Sequence, residues 1–208
     1  MLQGHAKPSI GATKLTIATE LSPSPDQARI EWRYLWGVAL AIAALIAVIR
    51  GDSHWLLNFF HVITGLLWTG IDLFMGFIIG PILRRLDLPA RRAIVTRLVP
   101  RMLFLMPTLA ITASTAGIEL ANRLGYFGLD WPEYGWVLAA LIIVGVLTVQ
   151  GLGILLPINV MVFRQLRRAE PDFSRVGRLM RIYFLTVASQ AVMQVAIILV
   201  MARFVTGL

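Results

Sequence analysis

Residues 55–83, WLLNFFHVITGLLWTGIDLFMGFIIGPIL, decide the fold of this chain. Asp72 is the one charged residue in this stretch. A helix needs about 20 mostly apolar residues to cross the hydrocarbon core of a bilayer, and this stretch is longer than that. It therefore predicts a membrane-spanning helix. Similar apolar stretches predict five spans in all, at about residues 34–49, 55–83, 98–120, 134–163 and 180–204.

The composition leaves no room for a separate soluble domain. The chain has 208 residues, of which 58% are hydrophobic and 14% charged, whereas a soluble domain has about a quarter of its residues charged. We predict an all-α polytopic bundle at residues 30–208, preceded by a polar tail at 1–29. The first apolar run begins only near Tyr34, too late for a secretory signal, so we expect the tail to be retained.

Arginine placement predicts the orientation in the membrane. The net charge is +8. Most of the arginines are expected to sit in two of the short loops between spans, while the opposite loops are nearly balanced in charge. The two clusters are Arg84, Arg85, Arg91, Arg92, Arg97 and Arg101, and Arg164, Arg167, Arg168, Arg175, Arg178 and Arg181. Because cytoplasmic loops are enriched in such residues, we predict a cytoplasmic N-terminus and an outer C-terminus, in a bacterial inner membrane. The same placement argues against nucleic-acid binding.

The second span carries the densest set of polar groups. His54, His61, Trp68 and Asp72 fall within about 40° of one another on a helical wheel. His54 and His61 are roughly 10 Å apart along the axis, too far to share one metal ion. His61 is either a histidine hydrogen-bonded across helices or a metal or haem ligand. The chain has no cysteine, which excludes Cys-ligated clusters and covalent c-type haem.

Other spans add polar groups that could face Asp72 or His61. On the third span, Thr112 lies on one stripe with Thr115 and Glu119, and Glu119 is expected at the depth of His61, where it or Thr115 could orient the ring. Asp72 is either hydrogen-bonded to amides or part of a proton path. The candidate amides on the fourth and fifth spans are Gln150, Gln190 and Gln194.

Methionines, glycines and prolines give weaker signals. Thioethers can bind copper(I), but no closely spaced pair of methionines stands out among Met75, Met102, Met106, Met161, Met180, Met193 and Met201. Four glycines of the second span favour close helix packing: Gly65, Gly70, Gly76 and Gly80. Pro107 and Pro157 predict kinks inside their spans.

The run from His61 to Gly70, HVITGLLWTG, has the pattern H-x6-W-x-G at the start of a span. It resembles the CopD-like group of bacterial membrane proteins. That group includes copper-resistance D proteins, an uncharacterised family labelled DUF2269, the membrane part of certain urate oxidases, and HemJ-type protoporphyrinogen oxidases. In HemJ-type members the matching histidine is thought to ligate b-type haem, which implies that role for His61. Those enzymes also use an intramembrane lysine, which the spans of this chain lack.

Three functions follow from these observations. The first is a haem-b-binding redox or electron-transfer protein, or an accessory subunit of a membrane complex, with His61 as axial ligand and Gly65, Trp68 and Glu119 around the haem. The second is a transporter for copper or a small solute that uses the polar stripe as its path. The third is a structural or assembly subunit without a cofactor. A Soret band would indicate the first, and bound copper the second.

Overall fold

The structure is a computed structural model that describes residues 32–168 and 172–207. Within this part the chain forms five long helices and no strand, which confirms the all-α prediction. They are α1, Tyr34–Arg50; α2, His54–Phe74 continued by a π-helical stretch Met75–Ile79 and Gly80–Arg85; α3, Leu88–Arg123; α4, Tyr134–Thr148 continued by a π-helical stretch Val149–Leu155 and Leu156–Leu166; and α5, Phe173–Val205. The predicted tail at 1–29 lies outside the described residues.

Four of the five helices are long and apolar enough to cross a membrane. They are α2 to α5, with 32 to 35 residues each, whereas α1 has 17. The chain is therefore a multi-pass membrane protein. Whether α1 also crosses the bilayer, and which side faces the cytoplasm, stay predictions.

Two helices begin well before their predicted starts. α3 begins at Leu88 rather than near residue 98, because the Asp87 side chain accepts a hydrogen bond from the Ala90 amide and caps the first turn. α5 begins at Phe173 rather than near residue 180, because Asp172 caps it in the same way through the Arg175 amide. The prediction that the arginines sit in short loops was therefore wrong for most of them: they lie on helical extensions.

The prolines act in two different ways. Each π-helical stretch is followed by a proline, Pro81 in α2 and Pro157 in α4. Proline lacks the N–H that would bond to the carbonyl four residues earlier, and the wider π turn is one way to accommodate it. The break predicted at Pro157 thus takes the form of a π-helical stretch. Pro107 lies within α3, which continues as α-helix past it.

The buried side chains form three layers between the two ends of the bundle. The layer at the arginine-rich end includes Leu83, Val99 and Phe163; the middle layer is built around Trp68, Leu109 and Leu147; the third contains Leu45, Leu57 and Ala116. Tyr34 accepts a hydrogen bond from Arg101, and Phe204 stacks on Tyr126. The beginning of α1 and the end of α5 therefore lie at opposite ends of the bundle.

The glycines of α2 divide into two pairs. A side chain at Gly76 or Gly80 would meet α5, since an added Cβ would lie 2.9 Å from Val187 or 2.7 Å from Phe184. The predicted close packing is confirmed at these two positions. At Gly65 and Gly70 an added Cβ would meet nothing within 4 Å, so the prediction was wrong there.

Candidate functional site

His61 is fixed by the backbone of the neighbouring helix. Its Nδ1 lies 2.9 Å from the carbonyl oxygen of Ala113 on α3. A carbonyl can only accept, so Nδ1 carries the proton and Nε2 keeps a lone pair. The ring lies directly against Gly117, where an added Cβ would come within 2.5 Å of the imidazole Cε1. The half-buried imidazole is therefore held in one orientation by two small residues of α3.

The groups expected to orient this ring are engaged elsewhere. Glu119 forms an ion pair with Arg123 at 2.7 Å, and Thr115 is exposed. Arg123 also donates to the carbonyls of Ile49 and Gly51, so this cluster fastens the end of α1 to α3. The predicted roles of Glu119 and Thr115 in orienting His61 were wrong, because the backbone carbonyl of Ala113 does this instead.

The second polar centre lies on the same helix, roughly 16 Å farther along its axis. Asp72 is only 7% exposed, and its Oδ2 accepts a hydrogen bond from Gln194 Nε2 at 2.8 Å. Trp68, one turn earlier on α2, also donates to this carboxylate through its indole N–H. The predicted hydrogen bond between Asp72 and an amide is confirmed, and Gln194 is the amide that makes it.

The remaining predicted polar side chains donate hydrogen bonds, but some of their amide oxygens have no partner in the part of the chain that the structure describes. Thr112 donates to the carbonyls of Thr108 and Leu109 on its own helix, and Gln150 donates to Ser189 at 3.1 Å. Gln190 donates to the carbonyl of Leu147 at 3.2 Å. Within the described residues, however, the Oε1 atoms of Gln150, Gln190 and Gln194 have no partner, although the Gln190 and Gln194 side chains are each only 1% exposed. Two buried acceptors on one face of α5 are therefore left without donors.

A cavity of about 40 Å³ opens beside Asp72. About 10–15 Å³ measured this way holds one water, so there is room for a small ion with a water or two. The cavity combines acceptors with three thioethers. Its polar lining is Asp72, Trp68, Asn159, Tyr183 and Gln190, and its thioethers belong to Met75, Met102 and Met106.

The three methionines are the site feature that the sequence did not reveal. Met102 and Met106 are one turn apart on α3, and Met75 is three residues after Asp72 on α2, so each spacing places its pair on one helix face. That spacing was visible in the sequence. The docking of the two faces across one cavity was not, since it depends on how α2 and α3 pack. Tyr183 and Asn159, hydrogen-bonded to each other, were missed for the same reason.

The two centres differ in what they can bind. In the described part of the chain, no three side chains of histidine, aspartate or glutamate come together as a metal-ligand group. His61 offers one ring nitrogen at the edge of α2 and α3. Asp72 lies on one cavity together with three methionines and with Gln190, whose amide oxygen has no partner in the described part of the chain.

Comparison of the chain with protein-family models, with curated proteins and with solved structures finds no match.

Proposed function

We propose that this multi-pass membrane protein is a transporter that passes a small monovalent cation through the cavity at Asp72. The observation that carries the proposal is the cavity itself: a space of about 40 Å³ lined by the buried Asp72, by three methionines and by Gln190, whose amide oxygen has no partner in the described residues. Ionisable residues inside a membrane bundle commonly line ion or substrate paths, because burying them without a role is costly.

The charge of the cavity favours a monovalent cation. The lining contains one carboxylate and no basic side chain. A single positive charge bound beside Asp72 gives a neutral pair, whereas a divalent ion would leave a net charge in the low-dielectric interior. Trp68 and Gln194 already donate to the carboxylate and hold it in place.

The ligand atoms favour a soft cation. Thioethers select copper(I) over hard cations such as sodium, which prefer oxygen alone. Copper(I) is therefore the proposed substrate, bound by Met75, Met102 and Met106 beside Asp72. The resemblance of residues 61–70 to CopD-like proteins, among them copper-resistance proteins, agrees with this proposal and is itself a prediction, as is a location in a bacterial inner membrane.

Uptake of silver(I), a redox-stable substitute for copper(I), tests this function. The purified full-length chain is reconstituted in proteoliposomes, and internal silver is measured by mass spectrometry. We expect uptake above protein-free vesicles, and a decrease of about tenfold or more for Asp72→Asn and Met106→Leu. Met201→Leu, on α5 away from the cavity, is the matched control and should transport normally. Equal uptake by vesicles with and without protein would rule the proposal out.

A second candidate is favoured by the geometry of His61. Its Nδ1–H is donated to a carbonyl, the arrangement found for most metal-ligating histidines, and its Nε2 lone pair is left for iron. We accordingly keep a b-type haem at His61, in an electron-transfer protein or an accessory subunit of a membrane complex, as the alternative. A bound haem would supply one-electron redox chemistry. His61, which is half-buried, would be the residue that holds the haem.

The absorption spectrum tests this alternative. Protein purified from haem-replete cells should show a Soret band that His61→Ala abolishes and His54→Ala, at an exposed residue on the same helix, retains. A spectrum without a Soret band would exclude haem. Should silver uptake also be absent, the third function, a structural or assembly subunit, would remain.

A further inference from the structure

The arginine-rich end of the bundle carries more basic than acidic side chains within the described part of the chain. The carboxylates described at this end are Asp87 and Asp172, and both cap helix N-termini. Arg84, Arg85 and Arg181 are exposed, and none has a carboxylate partner within residues 32–168 and 172–207. Their counter-charge has to come from outside the described part of the chain.

Two of these arginines lie where α2 meets α5. Gly80 lets the Phe184 ring approach α2 closely, and the Arg84 guanidinium lies 5.1 Å from the centre of that ring. Arg181 is three residues before Phe184 and therefore on the same face of α5. The α2–α5 seam thus presents guanidinium groups from both helices at one end.

The surface next to these arginines is apolar. On α2, Phe77 is 68% exposed; on α5, Leu185 is 67% exposed. A ligand that satisfies both parts of this surface carries an anionic group at one end and hydrocarbon next to it. Free phosphate or a nucleic acid would satisfy only the arginines.

We propose that the α2–α5 seam at Arg84 and Arg181 binds an anionic phospholipid. The phosphate group pairs with the guanidinium groups, whose planar N–H donors match phosphate oxygens. The acyl chains lie along the exposed apolar side chains of Phe77 and Leu185. Each arginine near an anionic headgroup contributes about 1 kcal/mol, so loss of one should weaken binding about fivefold.

Native mass spectrometry of the full-length protein tests this site. The detergent-purified chain is titrated with phosphatidylglycerol and, separately, with phosphatidylcholine. We expect phosphatidylglycerol to remain bound at concentrations where phosphatidylcholine does not. Arg181→Gln should weaken its retention about fivefold, and Arg84→Gln with Arg181→Gln more strongly. Arg203→Gln, an exposed arginine at the opposite end of α5, is the matched control and should bind like the unmodified chain.

Folding and ligand source are controlled separately. Arg84 contacts Phe184, so Arg84→Lys keeps a positive charge there and should retain more lipid than Arg84→Gln. Circular dichroism confirms that each variant keeps its helices. Equal retention of the two lipids, or unchanged retention in Arg181→Gln, would overturn the proposal. So would displacement of the lipid by millimolar inorganic phosphate, because this would assign binding to phosphate chemistry without the acyl chains.

Discussion

The two polar centres of α2 show two ways of burying a polar side chain in a membrane bundle. His61 meets a backbone carbonyl of α3, and its bonded nitrogen needs nothing more. Asp72 meets side chains from α2 and α5, and the amides around it keep oxygens without donors. The bonded nitrogen of His61 has its hydrogen-bond partner, whereas amide oxygens around Asp72 lack donors among the described residues. The difference indicates that a ligand has more to gain at Asp72 than at His61.

The neighbouring residues explain the difference. Beside His61, α3 presents Ala113 and Gly117, so the imidazole reaches the backbone directly. Beside Asp72, long side chains such as Met106 and Gln190 line a cavity. The imidazole is thus packed directly on a helix backbone, whereas the carboxylate lies beside open space.

The largest expected effect comes from breaking the Asp72 centre. Asp72→Leu removes the acceptor for Gln194 and Trp68, and each donor left unpartnered in the interior costs about 1–3 kcal/mol. We expect a clear loss of thermal stability and yield. Asp72→Asn keeps an acceptor oxygen without the charge, so it should fold normally and still fail to take up silver. Thermal unfolding followed by intrinsic fluorescence, together with the uptake assay, separates the two variants. If Asp72→Asn were as unstable as Asp72→Leu, the negative charge of Asp72 itself would be what holds the helices together.

The contact between His61 and α3 is disrupted most directly by a substitution on α3. Gly117→Ala would place a Cβ 2.8 Å from Nδ1, so the imidazole must move away from Ala113. Overpacking of this kind costs about 1–3 kcal/mol. Gly65→Ala, on α2 one turn after His61, meets nothing within 4 Å and is the matched control. A Gly117→Ala protein as stable as the control, measured by thermal unfolding in the same detergent, would contradict the tight contact.

A smaller effect should distinguish the two glutamines of α5. Gln194→Leu leaves Asp72 without its donor from α5, which costs about 1–3 kcal/mol. Gln190→Leu loses one hydrogen bond but also removes a buried oxygen without a partner, so its net effect should stay within about 1 kcal/mol. The two midpoints of thermal unfolding, measured side by side, check this order. The reverse order would mean that Gln190 contributes more than Gln194 to the stability of the protein.

The last test leaves stability unchanged and decides which centre lies nearer the outside. Reporter fusions after Arg168 should report the cytoplasm, and fusions after Tyr126 the outer side, since arginine-rich segments stay inside. His61 then lies towards the outer side, with Asp72 deeper. A cytoplasmic report after Tyr126 would invert the bundle and exchange the two positions.

The sequence predicted the helices and the polar stripe of α2, because both follow from apolar length and helical period. It misplaced the starts of α3 and α5, although Asp87 before Pro89 and Asp172 before Phe173 were readable capping signals. It did not predict the partner of His61, because every residue carries a backbone carbonyl and only the packing of α2 on α3 selects that of Ala113. The methionines around Asp72 were hidden for the same reason.

The π-helical stretches have a consequence for how the chain tolerates changes in length. A π turn holds one residue more than an α turn, so Met75–Ile79 and Val149–Leu155 each contain a residue that a regular helix would not need. Deleting one residue there would keep both flanking segments in phase, although it would remove the wider turn that accommodates Pro81 or Pro157. Deleting one residue elsewhere in α2 turns everything beyond it by about 100° and moves either His61 or Gly80 off its contact face. We therefore expect single-residue deletions to be tolerated better at these two places than elsewhere in the same helices, which expression of matched deletion variants would check.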